Sequence, residues 1–509
     1  MLLGRRVGAL TEPLTGRHWD FDAIRAHCGR RLALYQTKGL QSGDRVFVHF
    51  GNTCEFFVEL LAIWQLGGCV APIDPRLTPF EVETLARFAR PRFSVWAGHP
   101  DEHVMTGMRS LGVATLAASD DSEIATVVQP AGWKLFSLDQ DALILFTSGT
   151  TGSPKAVVHT HRSLLARWTS LYQALGLDTL HRTLCLLPTH FGHGLICNAL
   201  FPWLFEQDVY VVPPFRPDLL ARLGALIDEY QITFMSSVPA MWRLAIKTSR
   251  RPRAGTLRRV VCGSAPLSAS LWKDIQNWTG TSQVLNAYGL TETASWLAGT
   301  TVEGFVPEEG LIGQPWGTIV KIVGGDGPPS TADAEESCRA GEPGRIWIKT
   351  PALMRGYLDR DDLTGEVVRG GWFATGDIGY LDDRGVLYLR GRERDEINKG
   401  GLKVYPSDID AVVERFPATI DTCTFGYQDP LYGENVGIAV VASPATPETL
   451  GEIYEWARRH LAAHQMPTRW YLIEHIVRTA PGKVNRAAVA RHCEALTPVT
   501  LGVTSRAQR

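Results

Sequence analysis

The fold class is decided by residues 45–73, which read RVFVHFGNTCEFFVELLAIWQLGGCVAPI. Residues 45–50 form a short apolar run typical of a buried strand, and residues 69–73 form a second one. Between them, residues 53–66 place Phe57, Leu61 and Trp64 on one face of a helix. A strand, a helix and another strand in this order predict a βαβ unit with parallel strands.

The same alternation continues along the chain. Strands are predicted at residues 184–187, 208–212 and 232–236, with helices starting near residue 192 and covering residues 217–230. Parallel strands joined by helices are normally covered on both faces. We therefore expect an α/β protein with parallel sheets wrapped by helices.

The composition changes twice in the second half of the chain. Residues 323–344 are rich in Gly, Pro, Ser and acidic residues, which is typical of a surface loop, and short β-like runs follow at residues 344–349 and 385–389. After residue 391, helices are predicted at residues 407–416 and 448–464, and strands at 423–427 and 436–442. A separate small α+β domain is expected there, so the predicted domains are 1–392 and 393–509.

The bulk composition limits the function. The chain has 509 residues, with 51 Lys and Arg against 53 Asp and Glu, so it lacks the basic excess that nucleic-acid binding requires. No apolar segment suits a signal peptide or a membrane span. The nine cysteines include no CxxC pair. We expect a cytoplasmic enzyme with small-molecule partners.

A candidate phosphate-binding loop lies at residues 143–155, LILFTSGTTGSPK. A β-rich run leads into Ser, Thr and Gly residues and ends at Lys155, which offers a polyphosphate backbone N–H groups, hydroxyls and one cation. A solvated turn is the plain alternative. The spacing is not that of the GxxxxGK[ST] loop.

Thirteen residues of this stretch resemble the phosphate loop of the adenylate-forming superfamily, which includes acyl-CoA synthetases, free-standing adenylation domains and luciferases. Five further motifs follow in the family order: VVCGSAPLS with Gly263, NAYGLTET at residues 286–293, GWFATGDIG at residues 371–379, GRERDEINKGGLKVYPSDID at residues 391–410, and RTAPGKVNR at residues 478–486. Each motif alone has a structural explanation, such as a turn or a helix start. Their order over residues 143–486 identifies the resemblance.

The resemblance implies roles for individual residues. Lys483 would be the catalytic lysine, Glu292 would hold Mg²⁺, and Thr291 would meet the phosphates. The other residues implied to bind ATP are Thr147, Ser148, Gly149, Thr150, Thr151, Gly152, Lys155, Gly263, Ser264, Ala265, Tyr288, Asp377 and Arg392.

The chemistry agrees with these roles. Mg²⁺ is a hard cation that takes a carboxylate together with phosphate oxygens, as Glu292 would provide. Attack of a carboxylate on a phosphate is opposed mainly by charge repulsion and misalignment, so a cation such as Lys483 can assist it without proton transfer. The family fold implied is a large N-terminal part with a small β-barrel, followed by a mobile C-terminal domain.

Two further sites are implied for the second step. Arg394 falls at the hinge position, where the family usually has Asp or Lys, and Gly400 and Gly401 would line the passage for the thiol arm of CoA or of a carrier protein. The family motif LPTHFGHG aligns Phe191 with the residue that guards the acyl pocket. The other residues expected to line that pocket are Ser237, Cys262, Ala287, Gly289, Ala294 and Ser295, with Trp296 able to shorten it.

The acid itself is predicted only by class. Residues 234–242, FMSSVPAMW, contain no carboxylate to hold a substrate ammonium group, which favours an acid without an α-amino group. An aryl or medium-sized acid is preferred, and His190 or His193 could bond to its ring substituent or could be structural.

The expected activity is ATP- and Mg²⁺-dependent formation of acyl-AMP and transfer to CoA, and the alternative acceptor is the phosphopantetheine of a carrier protein. A luciferase-like oxidation has no feature that demands it. An ATP-binding scaffold without turnover is disfavoured because Lys155, Glu292 and Lys483 are all present.

Overall fold

The computed structural model describes residues 6–121, 137–147, 155–214, 216–301, 305–324, 337–400, 402–479 and 483–499. Strands and helices are numbered in chain order. The first sheet has the spatial order β18 (Gly356–Tyr357), β8 (Lys155–Thr160), β7 (Asp141–Thr147), β4 (Cys69–Pro72), β3 (Arg45–His49), β5 (Phe93–Trp96) and β6 (Ala114–Ala117).

The second sheet joins a parallel region to an antiparallel one. Its order is β16 (Ile319–Val323), β17 (Gly344–Lys349), β20 (Trp372–Leu381), β21 (Leu387–Arg392), β15 (Leu311–Pro315), β14 (Ser295–Gly299), β13 (Val284–Leu290), β12 (Arg259–Gly263), β11 (Phe234–Ser237), β9 (Arg182–Cys185), β10 (Asp208–Val211), β1 (Leu10–Glu12) and β2 (Arg17–Trp19), while β19 (Val368–Arg369) pairs with β20. Strands β9 to β13 are parallel to their neighbours within that group.

The third sheet contains only residues of the C-terminal part. Its order is β23 (Leu402–Val404), β22 (Ile397–Lys399), β25 (Gly433–Ala442) and β24 (Thr419–Asp429), and β26 (Arg469–Leu472) pairs with β25. The two hydrophobic clusters around it are built from buried residues between Ile397 and Cys493. This part therefore packs a core of its own.

Helices cover the sheets. They are α1 (Phe21–Thr37), α2 (Cys54–Gln65), α3 (Pro79–Ala89), α4 (Glu102–Ser110), α5 (His161–Leu175), α6 (Phe201–Leu204), α7 (Pro217–Ala221), α8 (Leu223–Glu229), α9 (Pro239–Thr248), α10 (Ala269–Thr279), α11 (Asp361–Val367), α12 (Pro406–Val413), α13 (Pro447–His460) and α14 (Arg486–Glu494). A π-helix spans His193–Leu200, and 3₁₀ turns span Ala118–Asp121, Thr291–Thr293 and Glu393–Asp395.

The predicted βαβ unit is confirmed as β3, α2 and β4, with β3 and β4 parallel. Helix α2 begins after Thr53, whose hydroxyl accepts the N–H of Phe56 and so satisfies one free donor of the first turn. The helix predicted over residues 217–230 is wrong in one respect, because α7 and α8 are separate. The N–H of Gly224 donates to Ser249 Oγ at 3.0 Å instead of to a helical carbonyl, and the ladder restarts from Arg222.

Candidate active site

Two buried basic side chains donate hydrogen bonds to the carbonyl groups of the turn after β13. Arg167 of α5 donates to the carbonyl of Thr293 at 3.2 and 3.1 Å and to that of Trp316 at 3.1 Å. His159 of β8 donates from Nε2 to the carbonyl of Thr291 at 2.7 Å, and burial lowers the pKa of this histidine to about 4. Because both carbonyls are held, the residue between them, Glu292, has a fixed position.

Glu292 contacts a tyrosine of the first sheet, and a lysine of the same sheet lies against the ring of that tyrosine. The Tyr357 hydroxyl donates to Glu292 Oε1 at 2.8 Å, and Lys155 Nζ lies 5.4 Å from the centre of the Tyr357 ring. Burial, together with the charge of Glu292, raises the pKa of Tyr357, so its hydroxyl stays protonated. Tyr357 thus contacts both Glu292 and Lys155, two residues that the motifs predict to act at the phosphates. The sequence alone does not indicate Tyr357.

Asp377 of β20 faces Arg392, its partner across the strand pair with β21. Its Oδ1 accepts from Arg392 Nε at 2.8 Å, and its Oδ2 accepts from the Tyr288 hydroxyl. Burial raises the pKa of Asp377, whereas Arg392 and Tyr288 lower it. Three residues predicted from separate motifs thus form one cluster.

Two glycines allow the strands at this site to approach closely. A Cβ atom on Gly263 would lie 2.6 Å from the carbonyl oxygen of Ala287, and one on Gly289 would lie 2.0 Å from that of Ser295. Nearby, Ser264, Ala294 and Ser295 adopt φ angles of 67°, 52° and 75°. Left-handed backbone at residues other than glycine is strained and concentrates at functional sites.

His193, at the start of the π-helix, links two strands of the second sheet. Its Nε2 lies 2.5 Å from Ser236 Oγ and its Nδ1 lies 2.7 Å from Ser264 Oγ, while its ring packs edge-on against Trp296 at 5.1 Å. Burial lowers the pKa of His193 to about 3, and the charge of Lys483 acts in the same direction. The imidazole is therefore neutral near pH 7.

The residues predicted to line the acyl pocket lie on two faces of the sheet. Side chains alternate along a strand, and Ala287, Ala294 and Trp296 belong to one hydrophobic cluster while Cys262 belongs to another. Ser237 lies on the face of Cys262, where its Oγ accepts from Trp242 Nε1 at 2.7 Å and donates to the carbonyl of Val261 at 2.8 Å.

The structure thus groups Ala287 and Ala294 with His193 and Trp296, and it places Cys262 and Ser237 away from them. Phe191 is half-buried, with its ring centre 6.3 Å from that of His193. His190 instead faces Asp74, with Nε2 3.4 Å from the carboxylate.

Lys483 extends from the C-terminal part; part of its side chain is exposed to solvent, whereas its ammonium group is surrounded by protein atoms. Desolvation in the cleft lowers the pKa of its ammonium group; Arg392 adds to this effect, and Asp377 and Glu292 oppose it. Its carbonyl accepts the N–H of Thr479 at 2.8 Å. The predicted lysine is therefore within electrostatic range of both predicted carboxylates.

The remaining predicted residues are placed in part. Thr147 and Lys155 are paired at the ends of β7 and β8, Ala265 is half-buried after Ser264, and Arg394 is 64% exposed in the turn at residues 393–395. Gly400 has a φ of 60° and donates its N–H to the carbonyl of Tyr432 at 3.0 Å. Ser148, Gly149, Thr150, Thr151, Gly152 and Gly401 lie outside the described residues.

The donors present suit a nucleotide with Mg²⁺. Within the described ranges, no group of three His, Cys, Asp or Glu residues could hold a metal alone. One carboxylate beside a phosphate site is a normal arrangement for Mg²⁺, which keeps waters and takes phosphate oxygens.

In the same ranges, no helix is both long and apolar enough to cross a membrane.

Known proteins match nearly the whole chain. An oxalate–CoA ligase of Arabidopsis thaliana is 28% identical over 475 residues, covering 90% of each chain. A 2-succinylbenzoate–CoA ligase of Bacillus licheniformis is 29% identical over 455 residues, covering 88% of this chain and 89% of the relative. The ATP-bound MatB structure from Rhodopseudomonas palustris has the same fold, with a TM-score of 0.86, 24% identity and coverage of 97% and 98%.

The family described as AMP-binding enzyme matches residues 12–358, about two thirds of the chain. This range contains the phosphate loop, the turn with Glu292 and the contact between Glu292 and Tyr357. The chain therefore belongs to the AMP-binding enzyme family, the adenylate-forming enzymes that its motifs predicted.

Proposed function

We propose that this chain activates a carboxylic acid with ATP and Mg²⁺ as acyl-AMP and then transfers the acyl group to the thiol of CoA. It is an AMP-forming acid:CoA ligase. The observation that carries the proposal is the convergence of Lys483, Glu292 and Asp377 on one cleft, where each affects the pKa of another.

In the proposed first step, a carboxylate oxygen attacks the α-phosphorus of ATP, and the bond to pyrophosphate breaks. Asp377, with Arg392, holds the ribose, and Tyr288 lies against the base. Lys483 lies between the two negatively charged reactants, where it reduces their repulsion without giving up its proton. Glu292 would hold Mg²⁺ and Thr291 would contact the phosphates, and the bound ion would offset charge on the departing pyrophosphate. The triphosphate contacts are assigned to Thr147, Lys155 and residues 148–152.

In the proposed second step, the thiol sulfur attacks the acyl carbon, the thiol proton is lost to solvent, and AMP leaves. Residues 1–392 and 393–509 are the two domains. A rotation of the second domain about Arg394 moves Lys483 away from the acyl-AMP and brings Gly400 and Gly401 towards the thiol arm. The separate core of the C-terminal part supports this division. Arg394 is exposed, so its side chain is free of packing that would oppose rotation.

The proposed substrate is an acid without an α-amino group, of aryl or medium size. Residues 234–242 supply no carboxylate, and a buried ammonium group without a partner is unfavourable. The names of the relatives support this class, because neither oxalate nor 2-succinylbenzoate is an amino acid. The acyl chain is assigned to the cluster of Ala287, Ala294 and Trp296, with Gly289, Ser295 and Phe191 around it. Ser237 and Cys262 stay predictions.

The test is ATP–pyrophosphate exchange with aryl, short dicarboxylic, medium-chain and amino acids, followed by mass analysis after addition of CoA. Exchange with a non-amino acid, together with an acyl-CoA product, is the expected result. Exchange without an acyl-CoA would instead favour a carrier protein as the acceptor. Absence of exchange with every acid would contradict the assigned first step.

A further inference from the structure

An ion pair joins the two parts of the chain at a distance from the nucleotide cluster. Arg243 lies on α9 of the N-terminal part, and Glu414 is the C-cap residue of α12 in the C-terminal part. The guanidinium Nη2 lies 3.1 Å from both oxygens of the carboxylate. The two side chains are 30% and 16% exposed, so the pair is largely shielded from water.

A second ion pair crosses the same boundary. Arg415, the residue after Glu414, lies 3.6 Å from Glu309. Glu309 also accepts the N–H of Ala269 at the start of α10, at 3.1 Å, which fixes this carboxylate on the N-terminal part. Consecutive residues of one segment therefore contact two separate elements of the large part.

The helix that carries Glu414 also holds the loop of Lys483. Asp410 of α12 accepts from Arg486 Nη1 at 2.7 Å, and Arg486 lies three positions after Lys483. On the other side of the loop, Arg478 donates to both oxygens of Asp421 on β24, at 2.8 and 2.7 Å. The loop and α12 thus move as one body, so a contact that places α12 also places Lys483.

We propose that Arg243 and Glu414, assisted by Glu309 and Arg415, are positioning residues for the first step. They hold the small domain in the orientation in which Lys483 faces Asp377 and Glu292, and the pairs separate before the thiol step. This inference rests on the proposed two-step reaction. Separating the partners removes their mutual attraction, which is stronger where water is largely excluded, and the hydration that each charge regains offsets only part of that loss.

An ion pair that lies within one part of the chain provides the contrast. Arg250 and Asp228 are 2.6 Å apart, and both lie in the N-terminal part. That pair is unaffected by rotation of the small domain. Loss of either pair removes one arginine from the same region of the chain, so Arg250→Met is a matched control for Arg243→Met.

The kinetic test separates the half-reactions in single turnovers. In Arg243→Met, acyl-AMP formation should slow by roughly 3- to 100-fold, the range of measured coupling between neighbouring charges, while thioester formation from supplied acyl-AMP keeps its rate or gains. The double reversal Arg243→Glu with Glu414→Arg should restore the ratio of the two rates, and Arg250→Met should leave it unchanged. Equal slowing of both steps, or no change in the ratio, would overturn the proposal.

A second measurement needs no substrate. Amide hydrogen exchange over residues 406–416 should be faster in Arg243→Met than in the wild-type protein or in Arg250→Met, because the boundary opens more often. If the wild-type protein activates no acid, the proposed function fails, and this measurement still decides the role of the pair. Unchanged exchange over those residues would contradict it.

Discussion

Asp377 and Lys483 both face the cleft, but different kinds of contact hold them there. Asp377 lies on a strand, and its oxygens accept from Arg392 on the next strand and from Tyr288. Lys483 lies on a loop of the C-terminal part, and ion pairs join that part to the rest of the chain. The groups proposed to hold the ribose and the base are therefore built into one sheet, whereas the group proposed to act on the phosphate depends on how the two parts are oriented.

The largest effect is expected when Lys483, the group that depends on the orientation of the two parts, is removed. In Lys483→Ala, acyl-AMP formation should fall by roughly 100- to 1,000-fold, the effect of removing one charge-stabilising donor from an active site. Thiolysis of supplied acyl-AMP should stay close to the wild-type rate. Stopped-flow measurement of both steps checks this, and equal losses would contradict the role given to Lys483.

Asp377→Asn should weaken the binding of ATP more than it slows the formation of acyl-AMP. A hydrogen bond to a charged group contributes about 1.5–3 kcal/mol, so KM for ATP should rise roughly ten- to one-hundred-fold. The rate at saturating ATP should change less than in Lys483→Ala. An unchanged KM for ATP would show that Asp377 does not hold the ribose.

A smaller effect is expected for Tyr357→Phe, which leaves Glu292 without its tyrosine partner. This donor bonds to a carboxylate, and the lower end of the range for such bonds, about 1.5 kcal/mol, corresponds to a rise of about tenfold in the Mg²⁺ concentration for half-maximal exchange. Tyr172→Phe, at a half-exposed tyrosine of α5, is the matched control. Equal Mg²⁺ dependence in both variants would remove Tyr357 from the site.

The smallest effect concerns stability against pH. The pKa of His193 is lowered by burial from 6.5 to about 3. Between these values the unfolded chain binds a proton that the folded chain does not, so stability falls as the pH decreases through this window. His193→Asn should flatten the fall of the free energy of unfolding between pH 6.5 and 5, by at most about 1.4 kcal/mol per pH unit, as measured by denaturant unfolding at each pH. A slope equal to that of the wild-type protein would contradict the burial argument.

The sequence predicts the site where its residues are adjacent in motifs. Glu292, Asp377 and Lys483 each lie in a recognisable run, and the structure brings them together. The sequence does not indicate Tyr357, because its contact with Glu292 depends on the pairing of β18 with β8, in which Tyr357 lies opposite Val157. Pairing between distant segments depends on the whole sheet.

The acyl pocket shows the same limit. Ser236 and Ser237 are adjacent in sequence but lie on opposite faces of β11, and the residues themselves do not indicate which face the substrate meets. The contact between Arg243 and Glu414 joins residues 171 positions apart. Neither residue belongs to a motif, so only the folded chain reveals it.

The hydrogen bonds of His193 have a consequence for the choice of base. Ser236 Oγ donates its hydrogen to the carbonyl of Val261 at 3.3 Å, so it must accept from Nε2 of the neutral imidazole. Nδ1 then carries a lone pair and accepts the hydroxyl hydrogen of Ser264. Ser264 is left with only lone pairs to offer. Ser264 is one of the residues that the family resemblance implies to bind ATP. Where it contacts the base, this oxygen suits the amino group of adenine and would repel the carbonyl that guanine carries at the same position.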